Sequence, residues 1–219
     1  MNGFGLYKVW STNDFFQFYK TFNLLFLINF ANRIIFMGNT FDITYSYFNH
    51  LHNYAIWTAA RAVQRGFTTT KNIQAAINST YLEKLLEGEI SISDKEEFDR
   101  FHVTCCKQIM DKLKNLLGDN SYKVTYGRAA KIVNIYIKTA IVIPNPESNL
   151  SFIAHPPIDR ILLSNLIKFK SFQFDTISWT QFTEDDYFDV IRKQRERGYG
   201  EAIAFWKIEA YWSPSEDSE

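Results

Sequence analysis

The sequence predicts a mainly α-helical protein, on three observations. Apolar residues recur at helical spacing through most of the chain after residue 37. Those runs open on Ser, Thr or Asp and stop at glycine. The β-prone stretches, "SFQFDTISW" and an aromatic run near the start, are isolated from one another. With 219 residues, 46% of them hydrophobic, the chain can bury one sizeable core or one core split into two lobes. No internal repeat points to an array.

The first 36 residues are rich in phenylalanine, but polar residues interrupt the run "NLLFLINF" and leave five consecutive apolar residues at most. A membrane-spanning helix needs roughly 20, so no membrane is expected. A basic n-region and a small-residue cleavage site are also missing from this stretch. Because the helical pattern starts after Met37, residues 1–36 read as an aromatic N-terminal extension and residues 37–219 as a single globular domain.

The elements follow in order. "YSYFNHLHNYAIWTAARAVQRGF" is a first helix with Tyr54, Trp57, Ala60 and Ala62 on one side, a core anchor at Trp57, exposed Arg61 and Arg65, and a stop at Gly66. "TTTKNIQAAINSTYLEKLLEG" reads as one helix capped by threonine and ending at Gly88. In "SDKEEFDRFHVTCCKQIMDKLKNLLGD", Ser93 and Glu96 have capping-box spacing and Gly118 is the stop. A helix from about Ala129 follows, then the connector "IPNPESNLSFIAHPP", and "DRILLSNLIKFK" starts another helix behind Pro156 and Pro157. Thr183 caps "EDDYFDVIRKQRERG", and "EAIAFWKIEAYW" closes the fold.

Charge and cysteine usage narrow the function classes. The 24 Lys plus Arg balance 24 Asp plus Glu, so no global field marks a nucleic-acid partner and any binding surface must come from local clustering. Cys105 and Cys106 are adjacent, which suits neither an ordinary disulfide nor spaced metal ligands, and a reducing cytoplasm is the expectation. His50, His52, His102 and His155 lack a metal-ligand pattern, so neither metal nor cofactor is expected.

Chemistry concentrates after residue 120. Between Ser121 and Pro146 no acidic residue occurs, while Lys123, Arg128, Lys131 and Lys138 are basic. Lys131, Asn134 and Lys138, at offsets of three and seven, share one face of an otherwise apolar helix that Gly127 opens, a natural anion site. Downstream, "HPPIDRILL" sets Asp159 before an apolar helix. Two readings stand for these residues. A lysine stripe is ordinarily the solvated edge of a helix and an Asp after Pro-Pro ordinarily an N-cap; taken together, they form a lysine and a carboxylate facing one cleft.

"GRAAKIVNIYIKTA" followed by "IDRILLSNL" resembles the helix-hairpin-helix DNA glycosylases of the endonuclease III and 8-oxoguanine glycosylase type. Their signature is a glycine hairpin, a lysine four residues after its first glycine, a helix, a loop, and an aspartate at the start of another helix. Gly127 and Lys131 keep the first spacing, Asn134, Thr139 and Ala140 echo the endonuclease III helix, and Asp159 falls in the aspartate slot. "AARAVQRGFTTTKNIQAA" is similar to the helix whose end inserts a glutamine into the DNA stack, which places Gln64 in that slot with Arg65 beside it. The resemblance spans about Tyr54 to Leu166. The second hairpin glycine is Ala129 here, the preceding Leu-Pro is absent, the loop to the aspartate is longer, and no four-cysteine cluster follows.

The resemblance implies a two-lobed helical fold, with a hairpin-containing lobe at about 60–145 and a second lobe from the N- and C-terminal parts. It also implies a monomer acting on double-stranded DNA, with Asp159 and Lys131 catalytic and Gln64, Arg65, Gly127, Arg128, Asn134 and Lys138 on the DNA. Base excision needs the base flipped out of the stack, with Gln64 as a plug. A carboxylate stabilises the oxocarbenium centre, and a lysine amine forms a Schiff base at C1′. Two other classes compete: a non-catalytic nucleic-acid-binding module, and a helical interaction protein of a toxin or phage-defence system, which net neutrality favours.

Overall fold

The computed structural model describes residues 44–176 and 178–213; the aromatic extension and the Met37 boundary lie outside them. The described residues are mainly helical and carry no strand, only an isolated bridge between Tyr199 and Ile203. None of their helices is long and apolar enough to cross a membrane.

Helix α1, Tyr47–Val63, starts at a capping box in which the Ser46 hydroxyl accepts from the Asn49 amide and Asn49 reaches back to the Ser46 amide. Its buried face is His52, Ala55, Ile56, Ala59, Ala60 and Val63. Tyr54 and Trp57 point outward, each 52% exposed, so the expected core anchor at Trp57 is overturned. Small alanines let α1 lie close along its neighbours, and that tight seam leaves no room for an indole.

The expected second helix is two, α2 Thr70–Ile77 and α3 Leu82–Leu86. Ser79 and Thr80 turn their hydroxyls onto the carbonyls of Ala76 and Ile77, and side-chain bonds of this kind compete with helix propagation. Helix α4, Lys95–Leu117, is capped one residue later than the spacing suggested. Asp94 accepts from the Glu97 amide, while the Glu97 carboxylate takes the Ser93 amide and hydroxyl. It stops at Gly118, whose φ of 50° is open to glycine at no steric cost.

Helix α5, Tyr126–Ile137, is the centre of the fold. Ten of its twelve residues are buried, so it packs all round rather than along one stripe. It begins three residues earlier than expected because Thr125 caps it, accepting from the Arg128 amide while donating to the Thr180 carbonyl. Helices α1 and α4 lie against it, and α2 packs on both of those. After α5 the ladder widens to a π turn over Lys138–Val142. Helix α6, Asn149–Ile153, sits in the expected connector; α7, Arg160–Lys170, and α8, Glu184–Arg195, follow, the latter with a Thr183–Asp186 capping box. A 3₁₀ turn, Trp179–Gln181, packs on α5, and a second, Phe205–Tyr211, packs on α6 and α7.

Candidate functional site

The lysine face of α5 is turned into the fold. The Lys131 side chain is 7% exposed, and its ammonium donates to Asp159 Oδ2 at 3.0 Å. Asp159 holds this position because it caps α7, its Oδ1 accepting from the Leu162 amide at 2.9 Å. Capping and pairing with lysine are therefore done by the two oxygens of one carboxylate. A third donor, the indole N–H of Trp212, reaches Oδ2 at 2.9 Å. The Lys131 ammonium also lies over the Trp179 ring, 5.7 Å from its centroid. Two helical turns further on, just past the end of α5, Lys138 pairs with Glu209 from the last 3₁₀ turn.

Burial and neighbouring charge act on two of these groups, Lys131 and Glu209. Burial pushes the Lys131 ammonium below its usual range, while Asp159 and Glu209 oppose that shift and Lys138 adds to it. Burial likewise raises the Glu209 carboxyl against the pull of Lys138. Lys131 is thus a desolvated amine with a proton acceptor in contact and a second cation nearby, the conditions under which lysine becomes a nucleophile.

The other expected site residues are placed differently. Gln64 ends α1 and accepts from the Thr70 hydroxyl at 2.7 Å; Arg65, beside it, is exposed. Gly127 lies in the first turn of α5, not in a free hairpin. Its amide donates to the Phe182 carbonyl at 3.1 Å, and a Cβ built on it would come 1.9 Å from the Trp179 carbonyl oxygen. The backbone approach that a glycine permits is here taken by the chain itself. Arg128 donates to the Lys123 carbonyl and lies 4.7 Å from the Phe67 ring centroid. The expectation of a solvated lysine edge is overturned, because α5 is central and its polar side chains have partners inside.

Asn134 belongs to a buried line of hydrogen bonds whose direction its partners fix. Its amide nitrogen donates to the Pro156 carbonyl at 3.0 Å and to the Tyr187 hydroxyl at 2.9 Å. Its oxygen therefore accepts from His102 Nε2 at 3.0 Å, leaving His102 Nδ1 to face the Tyr126 hydroxyl at 3.4 Å. Tyr187 passes its own proton to His155 Nδ1 at 3.0 Å, and His155 Nε2 meets Asp99 at 2.9 Å. Arg195 closes the line with a bidentate pair to Asp99, 2.7 and 2.8 Å. Burial raises the Asp99 carboxyl, but the bonds from His155 and Arg195 outweigh it and hold the group well below the usual carboxylate range. Burial also keeps His102 and His155 neutral, both below the ordinary imidazole value.

A cleft of about 650 Å³, lined by Phe174, Phe182, Phe188, Asp185 and Asp189 among others, is bounded on one side by Arg195; neither Lys131 nor Asp159 lines it. Among the described residues no three His, Cys, Asp or Glu gather as metal ligands. Sequence reasoning missed Trp179, Trp212 and Glu209, which reach the site from the far end of the chain and share no motif with it. Comparison with known families, curated proteins and solved structures found no match to this chain.

Proposed function

We propose that the chain is a DNA glycosylase of a divergent, two-lobed helix-hairpin-helix kind, excising a damaged or modified base from double-stranded DNA in repair or phage defence. The observation that carries the proposal is the meeting of Lys131 and Asp159 at 3.0 Å across 28 residues of sequence, with the amine stripped of solvent. Asp159 takes a proton from the Lys131 ammonium, and the freed amine attacks C1′ of the flipped nucleotide. The glycosidic bond breaks with its electron pair going to the base, and Asp159 returns the proton to that leaving group. The adduct's N–H proton then passes to O4′ as the C1′–O4′ bond breaks and the sugar opens, giving a Schiff base, which leads to strand cleavage. Gln64, at the end of α1, is the wedge.

Borohydride trapping on an abasic duplex tests this, beside base release from DNA carrying a panel of lesions and phage-type modified bases. The expected result is a covalent adduct with the wild type and none with Lys131→Gln. No adduct, together with no base released from any member of the panel, refutes the proposal. One observation favours a second reading: Arg128, Asn134 and Lys138 all have partners within the fold. In that reading the chain is a non-catalytic helical nucleic-acid-binding or interaction protein, and Lys131–Asp159 ties α5 to α7.

A further inference from the structure

We propose that the outward face of α1 is a binding surface for single-stranded nucleic acid, independent of the chemistry assigned to Lys131 and Asp159. Tyr47, Tyr54, Trp57, Arg61 and Arg65 follow one another at offsets of seven, three, four and four. At about 100° per residue this places them within roughly 80° of one another around the helix. Gln64 keeps helical dihedrals, φ −63° and ψ −28°, so Arg65 continues the stripe. All five side chains are exposed, Tyr47 by 66%.

Two further features point to the partner. The Tyr54 and Trp57 rings are already stacked, 5.7 Å between centroids and 22° between planes, and hold a flat aromatic step open to solvent. An unpaired base continues such a stack, whereas a paired base in duplex has its faces covered. The charge is complementary to a phosphate backbone: between Asp42 and Glu83 the sequence has no acidic residue, and Arg61 and Arg65 carry no carboxylate partner among the described residues. An apolar protein partner would gain nothing from two unpaired arginines at the end of the stripe. The surface thus presents bases with aromatic faces and phosphates with guanidinium groups, one helical turn apart.

Fluorescence anisotropy of a labelled oligothymidine, with an oligouridine of equal length as the second arm, tests the surface in the full chain. The wild type is expected to bind at least one of them, with affinity falling as salt rises; which arm binds distinguishes a DNA strand from an RNA strand. Tyr54→Ala/Trp57→Ala should weaken binding about tenfold or more, on the order of one lost base stack. Arg61→Glu/Arg65→Glu should weaken it and reduce the salt slope by about 1.4. These positions are exposed, and circular dichroism should show each variant folded. Absence of oligonucleotide binding by the wild type overturns the proposal. So does binding indifferent to both pairs of substitutions, or a dimer in sedimentation that Trp57→Ala dissolves, which assigns the stripe to a second copy. Trapping on abasic duplex is run in parallel. Strand binding without trapping sinks only the Lys131 reading, and trapping without strand binding sinks only this one.

Discussion

Replacing Asp159 with Asn separates a helix cap from a charge partner. As a cap the change is nearly silent, because Asn accepts from the Leu162 amide about as well as Asp, within a few tenths of a kcal/mol. The second oxygen is different. Once the amide oxygen serves Leu162, the new NH₂ group faces the Lys131 ammonium and the Trp212 N–H, donor against two donors. Breaking a buried ion pair by removing one partner costs about 3–5 kcal/mol. The Lys131 side chain is 7% exposed but that of Asp159 is 19%, so water reaches one end and the lower figure, about 3 kcal/mol, is expected near pH 7. The loss has a pH signature. The folded Lys131 titrates below its ordinary value of 10.5, so between the two pKa values the unfolded chain binds more protons and stability rises with pH. Asp159→Asn widens that window and should recover stability as pH climbs toward 10.5. Lys131→Met/Asp159→Asn, which removes both charges, should return most of the lost stability at neutral pH. Urea unfolding followed by circular dichroism, near pH 7 and near pH 9.5, reads both variants beside the wild type. An Asp159→Asn protein within about 0.5 kcal/mol of wild type at pH 7 refutes the argument, since Lys131 would then need no partner.

Gly127→Ala should lower the thermal midpoint sharply, because its Cβ has only 1.9 Å to the Trp179 carbonyl and backbone must move; about 2–3 kcal/mol is expected, and an unchanged melt refutes the close packing. Asn134→Ala strands His102, Tyr187 and the Pro156 carbonyl in the core and should cost about 3 kcal/mol or more, read by denaturant unfolding. Both buried imidazoles titrate below 6.5 when folded, so their contribution is complete above that pH and is lost as pH falls through the folded values; His102→Gln or His155→Gln should flatten the acid limb of a stability–pH profile below 6.5. Burial pushes the Cys105 thiol up to about 12 and raises the Cys106 thiol well above its ordinary range, so neither should react with a thiol reagent until the chain unfolds; prompt labelling of the native protein contradicts this.

Much of the helical order was legible because caps are local chemistry. Thr183, Asp159 and Gly118 sit where their side chains or backbone freedom end or begin a helix, within four residues of the groups they serve. The face of α1 was not legible, because alanine and tryptophan both count as apolar and periodicity alone does not say which of two apolar stripes has room inside. The sequence also raised the pairing of Lys131 with Asp159 as a question, and the geometry brings them together. Their remaining partners, Trp179 and Trp212, and the Glu209 that pairs with Lys138, are set by how the last third of the chain packs on α5 and α7, and no spacing within that third announces it. Gly127 illustrates the opposite error. A glycine before a basic helix suggests an approaching phosphate, and the backbone that approaches is that of residues 179–182.

The buried line from Tyr126 through His102, Asn134, Tyr187 and His155 to Asp99 joins α4, α5, α8 and the segment before Pro156. The Asp99 carboxylate can only accept, so from that end it dictates both imidazole tautomers and the orientation of the Asn134 amide. Oil-like side chains tolerate a helix that rolls about its own axis, since another methyl group fills the space. These helices have no such latitude: a slip of one residue turns a side chain by about 100° and breaks two bonds of the line at once. The apolar remainder of the core is therefore free to drift in sequence, while these six positions hold the helices to a single clocking.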